Sequence, residues 1–268
     1  MTVGSLFSGF GGMDLGLERA GLEIAFQVEI DPFCRRVLAK HWPSVPRYGD
    51  IRETTHEQLG DVDCLAGGFP CQDISHAGRR AGIDGERSGL WSEFARLVGE
   101  IRPRLVVVEN VGALAGRGAG RVLGDLAALG FDAEWETLPA AAFGAPYLRE
   151  RLFIVAYVPG FGRGARRQRG SHPGCSRERE QPLPAVFHAD REPAGREQGS
   201  DAEEEGRWLP HPSQRFSGPR GPWAVEPDVA RVVPRAPHRV ERIRGLGNLV
   251  IPQIAEYIGR RILAAAGD

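Results

Sequence analysis

Lysine is almost absent from this 268-residue chain: Lys40 stands alone, so nearly all positive charge is carried by arginine. Guanidinium groups suit bidentate contacts with phosphate and with guanine edges, although GC-rich coding yields the same bias. The formal net charge is −1. That removes the large positive excess on which non-specific coating of nucleic acid rests, but not a local basic groove. Cysteine is scarce too. Cys34, Cys64, Cys71 and Cys175 form no CxxC or Cys/His cluster, so neither a metal site nor a disulfide scaffold is expected, and reduced thiols in a cytoplasm are. No apolar run approaches membrane-spanning length and no basic leader precedes the first strand-like run, so the expectation is a cytoplasmic protein without a membrane partner.

The chain is long enough to bury a full hydrophobic core. Up to about residue 157, short apolar or β-branched runs alternate with helical patterns. Residues 2–7, 23–29, 62–66, 105–109 and 152–158 read as strands; residues 13–20, 32–41, 90–101 and 120–129 read as helices between them. This alternation predicts an α/β fold, a mostly parallel sheet covered on both faces. Composition then changes: twelve of the twenty prolines fall between Pro159 and Pro237. Residues 160–225 carry eleven arginines against nine acids, so a separate loop-rich unit and a partly disordered segment are both open readings. Helical spacing returns after Ile251-Pro252, with Ile254, Ala255, Ile258 and Ile262, and this last helix is expected to pack back on the first domain. The expected division is 1–157, 158–239 and 240–268.

The first strand ends in Phe7-Ser8-Gly9-Phe10-Gly11-Gly12 and leads into a helix, where an α/β sheet commonly places a cofactor. Glycine there permits close backbone approach to a ligand, and equally a tight turn with none. The pattern departs from GxGxxG and suits a ligand without a pyrophosphate better than a dinucleotide. The next strand ends at Glu29-Ile30-Asp31. An acid there can accept both ribose hydroxyls of a nucleoside, with Ile30 packed on its base. Asp50, in Gly49-Asp50-Ile51, could accept from an adenine amino group. Each acid taken singly is more often a helix cap or a solvated loop residue.

Cys71 lies in Gly67-Gly68-Phe69-Pro70-Cys71-Gln72-Asp73-Ile74-Ser75, at the mouth of a loop after a buried strand. Proline fixes the backbone before it and polar residues follow, so this thiol can meet a substrate, whereas Cys64 and Cys175 read as inert. Glycines and arginines interleave between Gly78 and Gly89, as in a mobile lid carrying charge for a phosphate backbone. The run from Leu105 delivers Glu109 to the same sheet edge. Burial there would raise its pKa and fit it to donate a proton at neutral pH. Strand alternation puts Arg149 and Arg151 on one face, one to bind substrate and the other to orient Glu109.

Together these residues resemble the DNA cytosine-5 methyltransferase family. The resemblance rests on Phe7-x-Gly9-x-Gly11, Glu29, Asp50, Pro70-Cys71-Gln72, Glu109-Asn110-Val111, Arg149-x-Arg151 and Leu246-Gly247-Asn248-Leu249-Val250-Ile251-Pro252. It implies a Rossmann-like, S-adenosyl-L-methionine-dependent methyltransferase sheet with a small target-recognition domain. It also implies that Cys71 attacks C6 of a cytosine flipped out of double-stranded DNA, that Glu109 holds N3 and the exocyclic amine, that Arg151 contacts O2, and that Arg149 supports them. S-adenosyl-L-methionine would lie across Phe7, Ser8, Gly9, Gly11, Gly12, Glu29, Ile30, Asp50, Ile51, Phe69, Leu90 and Asn248. DNA would meet Gln72, Ser75, Arg79, Arg80 and Arg87. The chain departs from the family at Tyr147, where glutamine is common, at Ala77 in the loop, and in the segment before Asn248. A monomer in a bacterial cytoplasm, cell- or phage-encoded, is expected; whether a cognate restriction endonuclease accompanies it stays open. The rivals are an RNA cytosine-5 methyltransferase, a non-catalytic DNA-binding relative, and an NAD or flavin oxidoreductase, whose glycine pattern this is not.

Overall fold

A computed structural model describes residues 1–70, 90–161 and 237–267. Its centre is a seven-stranded sheet made of β1 (Thr2–Leu6), β2 (Glu23–Val28), β3 (Arg47–Tyr48), β4 (Cys64–Gly68), β5 (Leu105–Val111), β6 (Asp132–Pro139) and β7 (Glu150–Tyr157). The strand order is β3-β2-β1-β4-β5-β7-β6. From β3 to β5 every neighbour is parallel, while β7 runs antiparallel to both β5 and β6. The expected α/β sheet is therefore present, with an antiparallel edge.

Helices α1 (Gly12–Ala20), α2 (Pro32–His41), α3 (His56–Leu59), α4 (Leu90–Ile101), α5 (Leu114–Arg117), α6 (Ala119–Ala128), α7 (Arg239–Asn248) and α8 (Pro252–Ala266) complete the described residues. Alternation along β5 assigns its side chains to two cores. Val106 and Val108 pack with Trp91, Phe94 and Leu97 of α4 and Val122 and Leu126 of α6. Leu105 and Val107 face the other layer, with Leu17 of α1 and Ile254, Ile258 and Ile262 of α8. Because both faces are covered, the strand reads as a continuous apolar run. Helix α2 starts where Asp31 accepts from Phe33 N at 2.7 Å and Cys34 N at 3.2 Å, with Pro32 at its first position.

Two expectations about strands change. The strand expected at 62–66 runs instead over Cys64–Gly68. Gly67 and Gly68 belong to it because a Cβ on Gly67 would lie 2.3 Å from the Leu6 carbonyl oxygen, so absence of a side chain here serves packing within the sheet. Strand β6 was not foreseen. It pairs only with β7, at the sheet's edge, and none of its residues is fully buried. Among the described residues no helix is long and apolar enough to cross a membrane.

Candidate active site

The carboxyl ends of β1, β2, β4 and β5, together with α7 and the linker to α8, enclose a cavity of about 940 Å³. Phe7 and Gly9, in the loop after β1, have left-handed φ values of 55° and 56°. The loop folds back over β2: Gly9 N donates to Glu29 Oε2 at 2.7 Å, and Asp31 N donates to Glu29 Oε1 at 2.8 Å. Each oxygen keeps a lone pair for a further donor. Burial holds the Glu29 carboxyl above its ordinary range, against the two amide hydrogen bonds. Beside it Ile30, apolar and 60% exposed, stands on the cavity wall. Ile51, Phe69 and Leu90 supply further apolar wall, and Phe69 packs its ring against Trp91 at 5.4 Å. Asp50 also lines the cavity, but it caps the turn at Ile51–Glu53 and pairs with Arg52, whose hydrogen bond lowers its pKa.

Ser8, Gly12 and Asn248 line the same space. Gly11 does not share it. A Cβ there would fall 2.5 Å from Trp42 Cζ3 and the φ of 77° is left-handed, so packing against Trp42 and backbone conformation both call for glycine at 11.

On β5, Glu109 is 8% exposed and its carboxyl is pushed up to about 7 by burial, which outweighs the neighbouring Arg151 and Arg149 charges. Arg151 Nε lies 3.0 Å from Glu109 Oε1. A Cβ on Gly68 of β4 would come within 2.4 Å of Glu109 Oε2, so only glycine at that register leaves room for the carboxyl. Asn110 Nδ2 donates to Phe69 O at 3.1 Å, fixing the backbone just before Pro70 to the strand that carries Glu109. Arg149 departs from the expectation. Its φ of 29° and its place before the start of β7 set it outside the strand, though its charge still acts on both Arg151 and Glu109. Its Nη2 donates instead to Leu249 O at 2.7 Å, joining the start of β7 to the linker between α7 and α8.

Cys71, Gln72, Ser75, Arg79, Arg80 and Arg87 lie outside the described residues. The other cysteines within them are poor nucleophiles: burial pushes the thiols of Cys34 and Cys64 up to about 12, helped at Cys34 by Glu29 and Asp31. No group of acids, histidines and cysteines able to hold a metal ion occurs among the described residues.

Sequence reading missed Asp14, Glu241 and Arg244, all on the cavity wall. For Asp14 the signal was present: an acid within Gly12-Met13-Asp14-Leu15-Gly16-Leu17 sits on the buried side of an amphipathic helix, where an unpaired charge is rare. Among the described residues the wall carries Asp14, Glu29, Asp31, Asp50, Glu109 and Glu241 against Arg52, Arg151 and Arg244. Acceptors for hydroxyls, apolar platforms for a base and an acidic balance fit a cationic nucleoside such as S-adenosyl-L-methionine better than a pyrophosphate ligand.

Residues 1–172 match the family model described as C-5 cytosine-specific DNA methylase. The type II methyltransferase M2.BsuMI of Bacillus subtilis is 38% identical over 164 residues, which are 58% of this chain and 42% of that protein. M.Eco47II of Escherichia coli is 42% identical over 164 residues, covering 58% and 39%. Among solved structures, a DNA modification methyltransferase encoded within an E. coli prophage is 27% identical with a TM-score of 0.51, over 59% of this chain and 47% of that one. S. pombe Dnmt2, at 22% identity and a TM-score of 0.51 over 59% and 51%, shares the fold. The chain spans about two fifths of the length of these curated relatives.

Proposed function

This chain belongs to the C-5 cytosine-specific DNA methylase family, and on that premise we propose that it methylates C5 of a cytosine flipped out of double-stranded DNA, with Cys71 as nucleophile. The observation that carries the reading is Glu109. Its carboxyl, buried and raised to about 7, so that a good fraction stays protonated at neutral pH, stands beside Gly68, two residues before Pro70. A protonated carboxyl here donates to cytosine N3 and draws electron density from the ring, which prepares C6 for attack. Arg151, one fifth exposed, orients Glu109 and has donors left for O2. Arg149 acts from further off, by holding the Leu249 linker against the cavity. Glu29 accepts from ribose hydroxyls and Ile30 packs on the adenine, while Asn248, Ser8 and Gly12 close over the amino-acid end of the cofactor. S-adenosyl-L-methionine, when bound, supplies the electrophilic methyl group. The Cys71 thiolate adds to C6, C5 takes up the methyl group, a base removes the C5 proton, and Cys71 leaves as the C5–C6 double bond re-forms.

Residues 158–239 carry target recognition on this reading, since the cofactor and catalytic motifs lie outside them. On this reading the chain works as a cytoplasmic monomer, and whether a cognate restriction endonuclease accompanies it stays open. The test is transfer of labelled methyl groups to duplex DNA and, in parallel, to transfer RNA. Wild type should label DNA, and Cys71→Ala should label neither while binding S-adenosyl-L-methionine with unchanged affinity. Labelling of transfer RNA alone would favour the RNA-modifying branch, and turnover by the Cys71 variant would end the covalent mechanism.

A further inference from the structure

Two walls of the cavity come from distant parts of the chain: Asp50 and Ile51 stand at the head of the turn Ile51–Glu53, and Leu90 stands at the head of α4. Helix α4 is firmly anchored. Trp91, Phe94, Leu97 and Val98 are buried in one core, and Trp91 Nε1 donates to Asp125 Oδ2 of α6 at 2.8 Å. The turn has less footing, since of residues 50–54 only Ile51 and Thr54 are buried.

Arg96 of α4 joins the two. Its Nη2 donates to Ile51 O at 3.0 Å and to Thr54 O at 2.9 Å, 45 and 42 positions earlier in the chain. Nε donates to Glu93 Oε2 at 2.8 Å, and Nη1 donates to Glu100 Oε1 at 2.9 Å and Oε2 at 3.0 Å. Every N–H of the guanidinium is thus spent. The two glutamates lie one turn before and one turn after Arg96 on its own helix, so they fix the plane of the fork and leave its remaining edge for the turn. From Thr54 the connection continues, because its hydroxyl donates to Asp50 O at 2.8 Å. Arg52 N, Nε and Nη2 fill three of the about four lone-pair positions of the Asp50 carboxylate, so the direction left for a further donor is set. Arg52 rides on the turn itself, however, and cannot fix the place of that turn relative to α4.

We propose that Arg96 is a positioning residue for cofactor selectivity: it holds the Asp50–Thr54 turn against α4 so that Asp50 meets the amino group of the adenine. The inference rests on the cofactor reading given above, with Asp50 as acceptor for that amino group. Arg96 does not line the cavity, so it acts through the turn alone. A hydrogen bond to the edge of a base weakens steeply with distance and angle. Release of two carbonyls from a charged donor frees the turn to drift, and the contact with the amino group is the part of binding that suffers, while ribose and amino-acid contacts made by Glu29 and the glycine loop persist.

Calorimetry with S-adenosyl-L-homocysteine and with its counterpart lacking the 6-amino group of the purine tests the proposal on wild type, Arg96→Lys and Arg96→Met. Wild type should bind the amino compound about tenfold more tightly, as expected for one charge-assisted hydrogen bond. Arg96→Met should bind the two nearly equally, with affinity for the deamino compound close to wild type. Arg96→Lys keeps a charged donor without the fork and should fall between. A merely structural lesion lowers both affinities in proportion and leaves their ratio at the wild-type value, and that result overturns the proposal. Should Arg96→Met fail to fold, judged by circular dichroism, Arg96→Lys decides, an unchanged ratio overturning it. Equal binding of the two compounds by wild type would instead remove Asp50 as the adenine acceptor and the proposal with it, and absence of binding by either would remove the cofactor reading beneath both.

Discussion

Glu109 shows how one position can be set by its neighbours rather than by its own chemistry. A solvated glutamate is ionised at neutral pH and could only accept from cytosine; burial raises the carboxyl to about 7, and Arg151 keeps it from rising further. Since the raised group is protonated below that value, donation to N3 is available at and below pH 7 and fades above it. Removal of the Cys71 proton works in the opposite direction. The pH profile of kcat/KM should accordingly be bell-shaped, with an alkaline limb that belongs to Glu109. Glu109→Gln keeps a hydrogen-bond donor but has no proton to yield, so kcat should fall by about 10²-fold or more while calorimetry shows unchanged S-adenosyl-L-methionine affinity. An alkaline limb that persists unchanged in a still active Gln variant would assign it to another group.

At the scale of elements, the pairing of α1 with α8 holds the cofactor side of the molecule together. Gly16 makes the contact possible, because a Cβ there would meet the Pro252 carbonyl oxygen at 2.3 Å and Ala255 Cβ at 2.5 Å. Alanine improves helix propensity by about 1 kcal/mol, but the obstacle is backbone and cannot rotate away. Overpacking of this kind costs about 1–3 kcal/mol, so Gly16→Ala should lower the Tm by several degrees and weaken cofactor binding through the displaced 248–250 linker; a Tm equal to or above wild type would show that the helices separate freely. This contact also marks what the sequence could disclose. Ile254, Ala255, Ile258 and Ile262 announce α8 and its buried face through their spacing, and the continuous run at Leu105–Val108 announces a strand covered on both sides. The bond from Arg149 to the Leu249 carbonyl was not legible, since it joins residues a hundred positions apart from a left-handed backbone outside the strand. Nor was β6, whose edge position relaxes the demand for an apolar face. Glu29 and Asp50 were legible as acids at strand ends, yet both are also engaged by their own loops, as amide acceptor and as cap. Local capping and ligand binding draw on the same residue types, so residue type alone does not separate the two roles; what the fold adds is that both acids line one cavity.

For the whole molecule, the clustering of buried acids around one cavity has a thermodynamic consequence. Asp14 is raised to about 6 and Glu109 to about 7, and Glu29 is raised as well, in each case chiefly by burial. In the unfolded chain these carboxyls titrate near 4. Between that value and about 7 the folded state thus binds more protons than the unfolded one, and stability declines as pH rises through this window. Below pH 4 both states are protonated and the contribution is fully present; above 7 it is gone. Each unit of difference is worth about 1.4 kcal/mol, so the combined effect is several kcal/mol; the shift of Asp50, lowered by its hydrogen bond with Arg52, has the opposite sign. Such a cavity is built for its ligand rather than for the stability of the empty chain. The ligand-free protein should therefore melt at a higher temperature at pH 5.5 than at pH 8, with Asp14→Asn and Glu109→Gln each flattening the difference, and saturating S-adenosyl-L-methionine should raise the Tm more at pH 8, where the acids are charged and the sulfonium meets them. Thermal melts followed by circular dichroism at the two pH values, with and without cofactor, measure all of this. A ligand-free Tm that climbs steadily from pH 5.5 to 8 would mean that these carboxyls are solvated in the folded chain, and the argument for a protonated Glu109 would fall with them.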